Sequence, residues 1–334
     1  MIKMLLAFLV SFILSITLMP VIIKYFERKK AGQTILNYVE NHKDKNGTIT
    51  MGGVVFIIST LLLAFLFLDY DTEWFIVLVI SIFFGVLGFM DDFIKIKYKQ
   101  NLGLRAYQKI IGQVGLSIIF AIFIYFFSSQ KGNIFIPFTN TQLNIGFWII
   151  PLIMLVIIAT SNSVNLTDGL DGLAGSVSFV YLIFFTIITI SVSNSIYQSG
   201  YIGKLTENVE NISVLSMLFA GSILGFLMFN TSKAKIFMGD VGSLMLGGYI
   251  SASACLIGQQ FLIIILGFCF VFSAMSVIMQ VISFKLTKKR IFKMAPFHHH
   301  LQMSGLSEPK IVAIYSATTI CLGVFGLIIT LCNI

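Results

Sequence analysis

Residues 241–284 read VGSLMLGGYISASACLIGQQFLIIILGFCFVFSAMSVIMQVISF, and none of them is charged. A membrane-spanning helix needs about 20 mostly apolar residues. The run is therefore too long for one crossing and too apolar for a loop. Gly258, Gln259 and Gln260 interrupt it with turn-forming and polar residues, which predicts two spans, 241–257 and 261–283. Working outward, stretches of similar character recur at 4–23, 52–68, 74–90, 110–128, 146–162, 173–193, 211–230 and 311–332. The expected fold is an all-α integral membrane protein of about ten transmembrane helices, forming one polytopic domain over residues 1–334. Composition agrees, with 57% hydrophobic and 11% charged residues, against about 25% charged in a soluble domain. The first apolar run is longer than a signal-peptide core and no small-residue cleavage site follows it, so it reads as a retained helix.

Lys and Arg collect in cytoplasmic loops. When the loops are assigned alternately to the two sides, all but Lys3, Lys131 and Lys204 of the 22 basic residues fall on one side. Both termini are then expected on the outer face, with the basic loops in the cytoplasm. This topology accounts for the net charge of +8 and removes the case for nucleic acid. Cys255, Cys269, Cys321 and Cys332 all lie in apolar stretches and form no C-x-x-C pair, so they read as small buried hydrophobes.

The basic side also carries polar groups at helix ends, where a charge in a membrane protein usually has a task. Asp91 and Asp92 close the third span, a position whose helix dipole prefers cations. A bound metal, a basic substrate group, or Lys95 and Lys97 as partners would relieve them. Asn165-Leu-Thr-Asp168-Gly-Leu-Asp171-Gly172 is a tight turn leading into a helix. Phe237-Met-Gly-Asp240-Val-Gly-Ser243 opens the eighth span, where free N–H groups suit a phosphate and a lone carboxylate suits a hard cation. Met294-Ala-Pro-Phe-His298-His299-His300 follows the basic run Lys288-Lys289-Arg290. Consecutive residues cannot all face one metal, so imidazoles donating to phosphate fit better than a zinc site. Lys45 to Gly53 forms a glycine-rich approach to the second span. Carboxylates, cations and histidines converging on one face are equipment for a diphosphate and a divalent metal, and the membrane setting implies a lipid substrate.

These segments, T-M-G-G, G-F-M-D-D, N-L-T-D-G-L-D-G-L-A, F-M-G-D-V-G-S and M-A-P-F-H-H-H, resemble those of the polyprenyl-phosphate N-acetylhexosamine-1-phosphate transferases over about residues 43–310. The histidine segment is most similar to the muramoyl-pentapeptide branch of that superfamily. The resemblance implies an Mg²⁺-dependent enzyme of the bacterial plasma membrane with its active site facing the cytoplasm. It would join undecaprenyl phosphate to the phosphosugar of UDP-MurNAc-pentapeptide and release UMP. A homodimer is left open.

By position, the resemblance makes Asp240 the main Mg²⁺ ligand and Asp91 and Asp92 the catalytic pair. Phe237 would stack on uracil, with Asp171 and Lys45 completing that subsite. Thr50, Asn165, Asp168 and Asn230 would line the neighbouring nucleoside and sugar pocket. His298, also assigned a catalytic part, and His299 would sit near the donor, and Lys109 would bind phosphate. The family usually has Pro at the position of Ile49, commonly has Thr-Asn-Ala where this chain has Ser161-Asn162-Ser163, and more often has a basic or small residue in place of Tyr107. None of these departures touches a carboxylate. Direct attack of the lipid phosphate and a route through an aspartyl-phosphate are both compatible with these residues. The rivals are a sister enzyme using UDP-GlcNAc, a secondary transporter and a structural scaffold. Transporters place their charges near the bilayer midplane, whereas here they gather at one surface.

Overall fold

The computed structural model describes residues 1–29, 48–99, 102–136, 141–198 and 204–332. Lys45 lies outside the described residues. In chain order the elements are α1 (Ile2–Arg28), α2 (Val54–Phe67), α3 (Thr72–Tyr98), α4 (Ala106–Phe127), a hairpin of β1 (Asn133–Phe135) and β2 (Gln142–Asn144), α5 (Ile149–Thr167), α6 (Leu173–Gln198), α7 (Lys204–Asn230), α8 (Gly239–Leu256), α9 (Leu262–Leu266), α10 (Phe268–Thr287), α11 (Phe297–Gln302) and α12 (Glu308–Cys332). The chain is an all-α integral membrane protein. Among the described residues, eight helices are long and apolar enough to cross a membrane: α1, α3, α4, α5, α6, α7, α10 and α12. The shorter apolar α2 and the central α8 account for the other two expected spans.

Helix α8 meets protein rather than lipid. Every residue from Val241 to Leu256 is buried. Its glycines admit its neighbours closely: a Cβ on Gly247 would lie 2.5 Å from the Cα of Ser161 on α5, and one on Gly248 would lie 3.0 Å from Phe84 on α3. Without a hydrophobic drive between helices in lipid, such close packing is the main adhesive. The same device joins α1 to α7. Ser11 and Ser15 donate to the carbonyls of Leu218 and Ser222 at 2.5 and 2.9 Å. A Cβ on Gly221 would lie 2.2 Å from the Phe8 carbonyl oxygen.

Two expectations about boundaries change. Helix α3 continues beyond Asp92 to Tyr98 and ends on Lys99 in the left-handed region, with φ 50°. Asp91 and Asp92 therefore sit within a helix rather than at its end. The span expected at 261–283 is broken at Gly267 into α9 and α10, since the Gly267 N–H still bonds Ile263 at 2.9 Å while a new helix starts behind it. The turn expected at Gly258–Gln260 is present, with Gly258 at φ 72°.

A short parallel pairing draws the start of α2 to the start of α8. Phe237 N–H donates to Ile49 O at 2.7 Å, Gly52 N–H to Phe237 O at 2.9 Å, and Gly53 N–H to Met238 O at 2.9 Å. The ends of α3, α5 and α7 and the starts of α4, α6 and α12 gather at this same end of the bundle. The hairpin lies at the other end, where the Phe135 N–H bonds Gly258.

Candidate active site

Gly88 decides how α3 meets α8. A Cβ there would lie 2.1 Å from the backbone oxygen of Asp240 and 2.5 Å from the nitrogen of Val241, so only glycine permits this crossing. At that crossing Asp91, Asp92 and Asp240 each present a carboxylate oxygen within 4.8 Å of the others. Asp92 accepts the Val241 N–H at 3.2 Å. It thus serves the N-terminus of α8, whose own N-cap, Met238, makes no side-chain cap. Gly239 keeps this contact open: its φ is +74°, and a Cβ would lie 2.4 Å from the Asp92 carboxylate and 2.9 Å from Thr50 Oγ1. Asp91 accepts the Leu104 N–H at 2.8 Å, from the loop before α4.

Two lysines enter this cluster. Lys95 Nζ stands 2.6 Å from Asp91, 3.7 Å from Asp92 and 3.3 Å from Asp240. Lys109 Nζ stands 2.6 Å from Asp240. Asn165 donates to the other Asp240 oxygen at 2.8 Å and to Ser243 Oγ at 2.9 Å. Three carboxylates against two ammoniums leave a surplus negative charge, and every carboxylate donor is a hard oxygen. That set fits a hard divalent cation. Sequence reasoning assigned Lys109 to the site but left Lys95 as a surface partner. Its spacing was the available signal, since positions three and four residues after Asp92 and Asp91 share their helix face. Ser243 was also unassigned, although it lies in the F-M-G-D-V-G-S segment.

The turn between α5 and α6 forms the adjoining wall. Asp168 keeps part of its surface open. Desolvation of its carboxyl, reinforced by Asp240, Asp92 and Asp171, pushes it well above the usual carboxylate range. Asp171 accepts the Ala234 N–H at 3.2 Å. Asn230 is buried, accepting from Gly172 N–H at 3.0 Å and donating to Ile236 O at 2.7 Å. These two residues fasten the turn to the 234–236 segment, which leads to the half-buried Phe237.

The histidine segment closes over Gly169. A Cβ on Gly169 would lie 2.4 Å from His298 Nε2 and 3.1 Å from His299 Nε2. The three histidines do not act together. The His298 and His299 rings are tilted at 57° to each other with centroids 4.4 Å apart. His300 turns away, accepting the Lys293 N–H at 3.1 Å and stacking on Phe297.

His298 is fully buried, and among the described residues neither ring nitrogen has a hydrogen-bond partner. Desolvation, then the neighbouring His299, lowers it from 6.5 to about 3. Between these values the unfolded chain takes up a proton that the folded protein refuses, so stability falls as pH drops below 6.5. From pH 6.5 to 5 the loss is roughly 2 kcal/mol, at about 1.4 kcal/mol per unit. Thermal unfolding in detergent should show this acid loss in the parent and a clearly smaller one in His298→Gln. Equal acid slopes would refute it.

Residues 74–259 match glycosyl transferase family 4, a range that takes in the three clustered carboxylates and the turn of Asp168 and Asp171. Curated relatives extend the likeness over nearly the whole chain, including the histidines. A phospho-N-acetylmuramoyl-pentapeptide-transferase of Clostridium botulinum (strain Eklund 17B / Type B) is 43% identical over 325 residues, 96% of this chain and 95% of its own. Those of Geobacillus sp. (strain WCH70) and Bacillus subtilis (strain 168) are each 38% identical. The first covers 98% of this chain and 97% of its own length, and the second covers 96% of each.

Proposed function

The chain belongs to the phospho-N-acetylmuramoyl-pentapeptide-transferase family, and on that premise we propose that it transfers phospho-MurNAc-pentapeptide from UDP-MurNAc-pentapeptide to undecaprenyl phosphate. The products are UMP and undecaprenyl-diphospho-MurNAc-pentapeptide (lipid I), and the reaction is the first membrane step of peptidoglycan synthesis. The observation that carries the reading is the cluster of Asp91, Asp92 and Asp240 with Lys95 and Lys109 at one end of an apolar helix bundle. The gathering of basic residues at that end supports its facing the cytoplasm of a bacterial plasma membrane.

Asp240, with Asp91 and Asp92, would hold Mg²⁺, which supplies neutralisation of the diphosphate charge. Lys95 and Lys109 would exchange their carboxylate partners for phosphate oxygens as substrates arrive. An oxygen of the lipid phosphate forms the new bond to the donor's β-phosphorus. The bond from that phosphorus to the bridging oxygen breaks, and UMP leaves with the electron pair. Asp91 or Asp92 would take a proton from the lipid phosphate where it carries one. The half-buried Phe237 offers a ring for uracil, while Asp171 and Asn230 hold the backbone that presents it. Thr50, Asn165, Asp168, His298 and His299 would form the wall for the nucleoside and sugar. Much of the rate gain comes from holding two anions together that would repel each other in water.

Purified protein with Mg²⁺ and undecaprenyl phosphate should release UMP from UDP-MurNAc-pentapeptide and not from UDP-GlcNAc, with a lipid product of matching mass. Product from UDP-GlcNAc alone would place the chain with the sister enzymes.

A further inference from the structure

Asp240 is gripped from two sides at one level, by Lys109 of α4 on Oδ2 and by Asn165 of α5 on Oδ1. One helical turn deeper in each helix, four residues after Lys109 and three before Asn165, stand Gln113 and Asn162. Their amides pair reciprocally: Asn162 Nδ2 donates to Gln113 Oε1 at 2.7 Å, and Gln113 Nε2 donates to Asn162 Oδ1 at 3.4 Å. Asn162 Nδ2 also donates to its own helix at Ile158 O, 2.8 Å away. Gln113 is fully buried. Among the described residues, these are the side-chain hydrogen bonds that join α4 to α5.

We propose that Gln113 and Asn162 are positioning residues, an amide clamp that fixes the register of α4 on α5 and thereby aims Lys109 at Asp240. Adhesion alone does not require amides. The buried face of α4 already presents Ser117, Phe120, Ala121 and Ile124, and single interhelical hydrogen bonds in membranes are weak. A reciprocal amide pair adds what an apolar contact lacks, namely directional bonds that break when one helix slides or turns. Register matters here because Lys109 hangs on a flexible four-carbon stem. Its ammonium reaches Asp240 in a tight pair only if its backbone is held. Lys95 needs no such clamp, since it rides on α3, the helix that carries Asp91 and Asp92. The functional meaning of the clamp rests on the transferase reading of this centre.

The experiment is lysine acetylation of the full-length protein in detergent with an N-hydroxysuccinimide ester, the rate at each lysine read by peptide mass spectrometry. Lys109 and Lys95 have similar side-chain exposure, 17% and 22%, so Lys95 is an internal control. Gln113→Met and Asn162→Leu should each raise the Lys109 rate severalfold and leave Lys95 unchanged. The exchanged pair, Gln113→Asn with Asn162→Gln, should return Lys109 towards the parent rate. UMP release should fall in Gln113→Met but fall no further when Gln113→Met is added to Lys109→Met. A Lys109 rate at the parent level in both single variants overturns the clamp. So does a Lys95 rate that rises in step, because that reports general loosening. Failure of the parent to release UMP from either donor would sink the transferase reading, while the acetylation pattern would still decide the clamp.

Discussion

Asp240→Asn yields a folded protein whose turnover is lower by on the order of 10³-fold. The substitution preserves shape, and the change in chemistry is confined to one atom. Asp240 now accepts from Asn165 on one oxygen and from Lys109 and Lys95 on the other. An asparagine has one acceptor oxygen and one NH₂ group, so one of these donors faces another donor whichever way the amide turns. On the proposed reading the cluster would also lose its surplus negative charge and the carboxylate that would hold a divalent cation. Folding survives because Val241 to Leu256 remain buried and the α3–α8 crossing does not use the carboxylate. UMP release and unfolding temperature measured on the same preparation separate the two effects. Turnover within tenfold of the parent would show that Asp240 is not the metal ligand.

Gly88→Ala has the second largest effect, and it acts without removing any polar atom. The added Cβ would lie 2.1 to 2.5 Å from backbone atoms of Asp240 and Val241. These atoms open a helix that is packed on all sides and cannot give way as a side-chain tip could. The helices must part at the level of the carboxylates, stretching the Asp92–Val241 bond and moving Asp240 away from Asp91. A misplacement of about 1 Å costs roughly 10²-fold in rate, and overpacking costs about 1–3 kcal/mol in stability. Gly115→Ala is the control, since among the described residues nothing lies within 4 Å of a Cβ there. It should leave both turnover and unfolding temperature near the parent values. Normal turnover in Gly88→Ala would mean that the crossing does not set the geometry of the cluster.

The alternation of apolar runs with basic loops predicted the membrane class, the approximate number of spans and which helix ends share a side. The motifs named Asp91, Asp92, Asn165, Asp168, Asp240, His298 and His299, and the family resemblance added Lys109. Two features were partly hidden. Asp91 and Asp92 read as a helix end because the uncharged run stops at Met90, whereas backbone hydrogen bonding carries α3 on to Tyr98. Lys95 read as a surface charge because its helical spacing from the carboxylates gains meaning only once that extension is known. The histidine run was readable as unable to converge on one metal, but not which ring would turn away.

The sequence by itself determined the solvent of the fold and the sidedness of its charges. Both follow from transfer free energies that accumulate residue by residue along a helix and need no knowledge of its neighbours. Only the tertiary structure decided that α8 is the central helix, that Asp92 serves its N-terminus, and that lysines from α3 and α4 meet at Asp240. Those contacts join residues more than a hundred positions apart. They depend on Gly88 and Gly239 letting backbone and carboxylate approach closer than a Cβ would allow, a condition set by the partner helix.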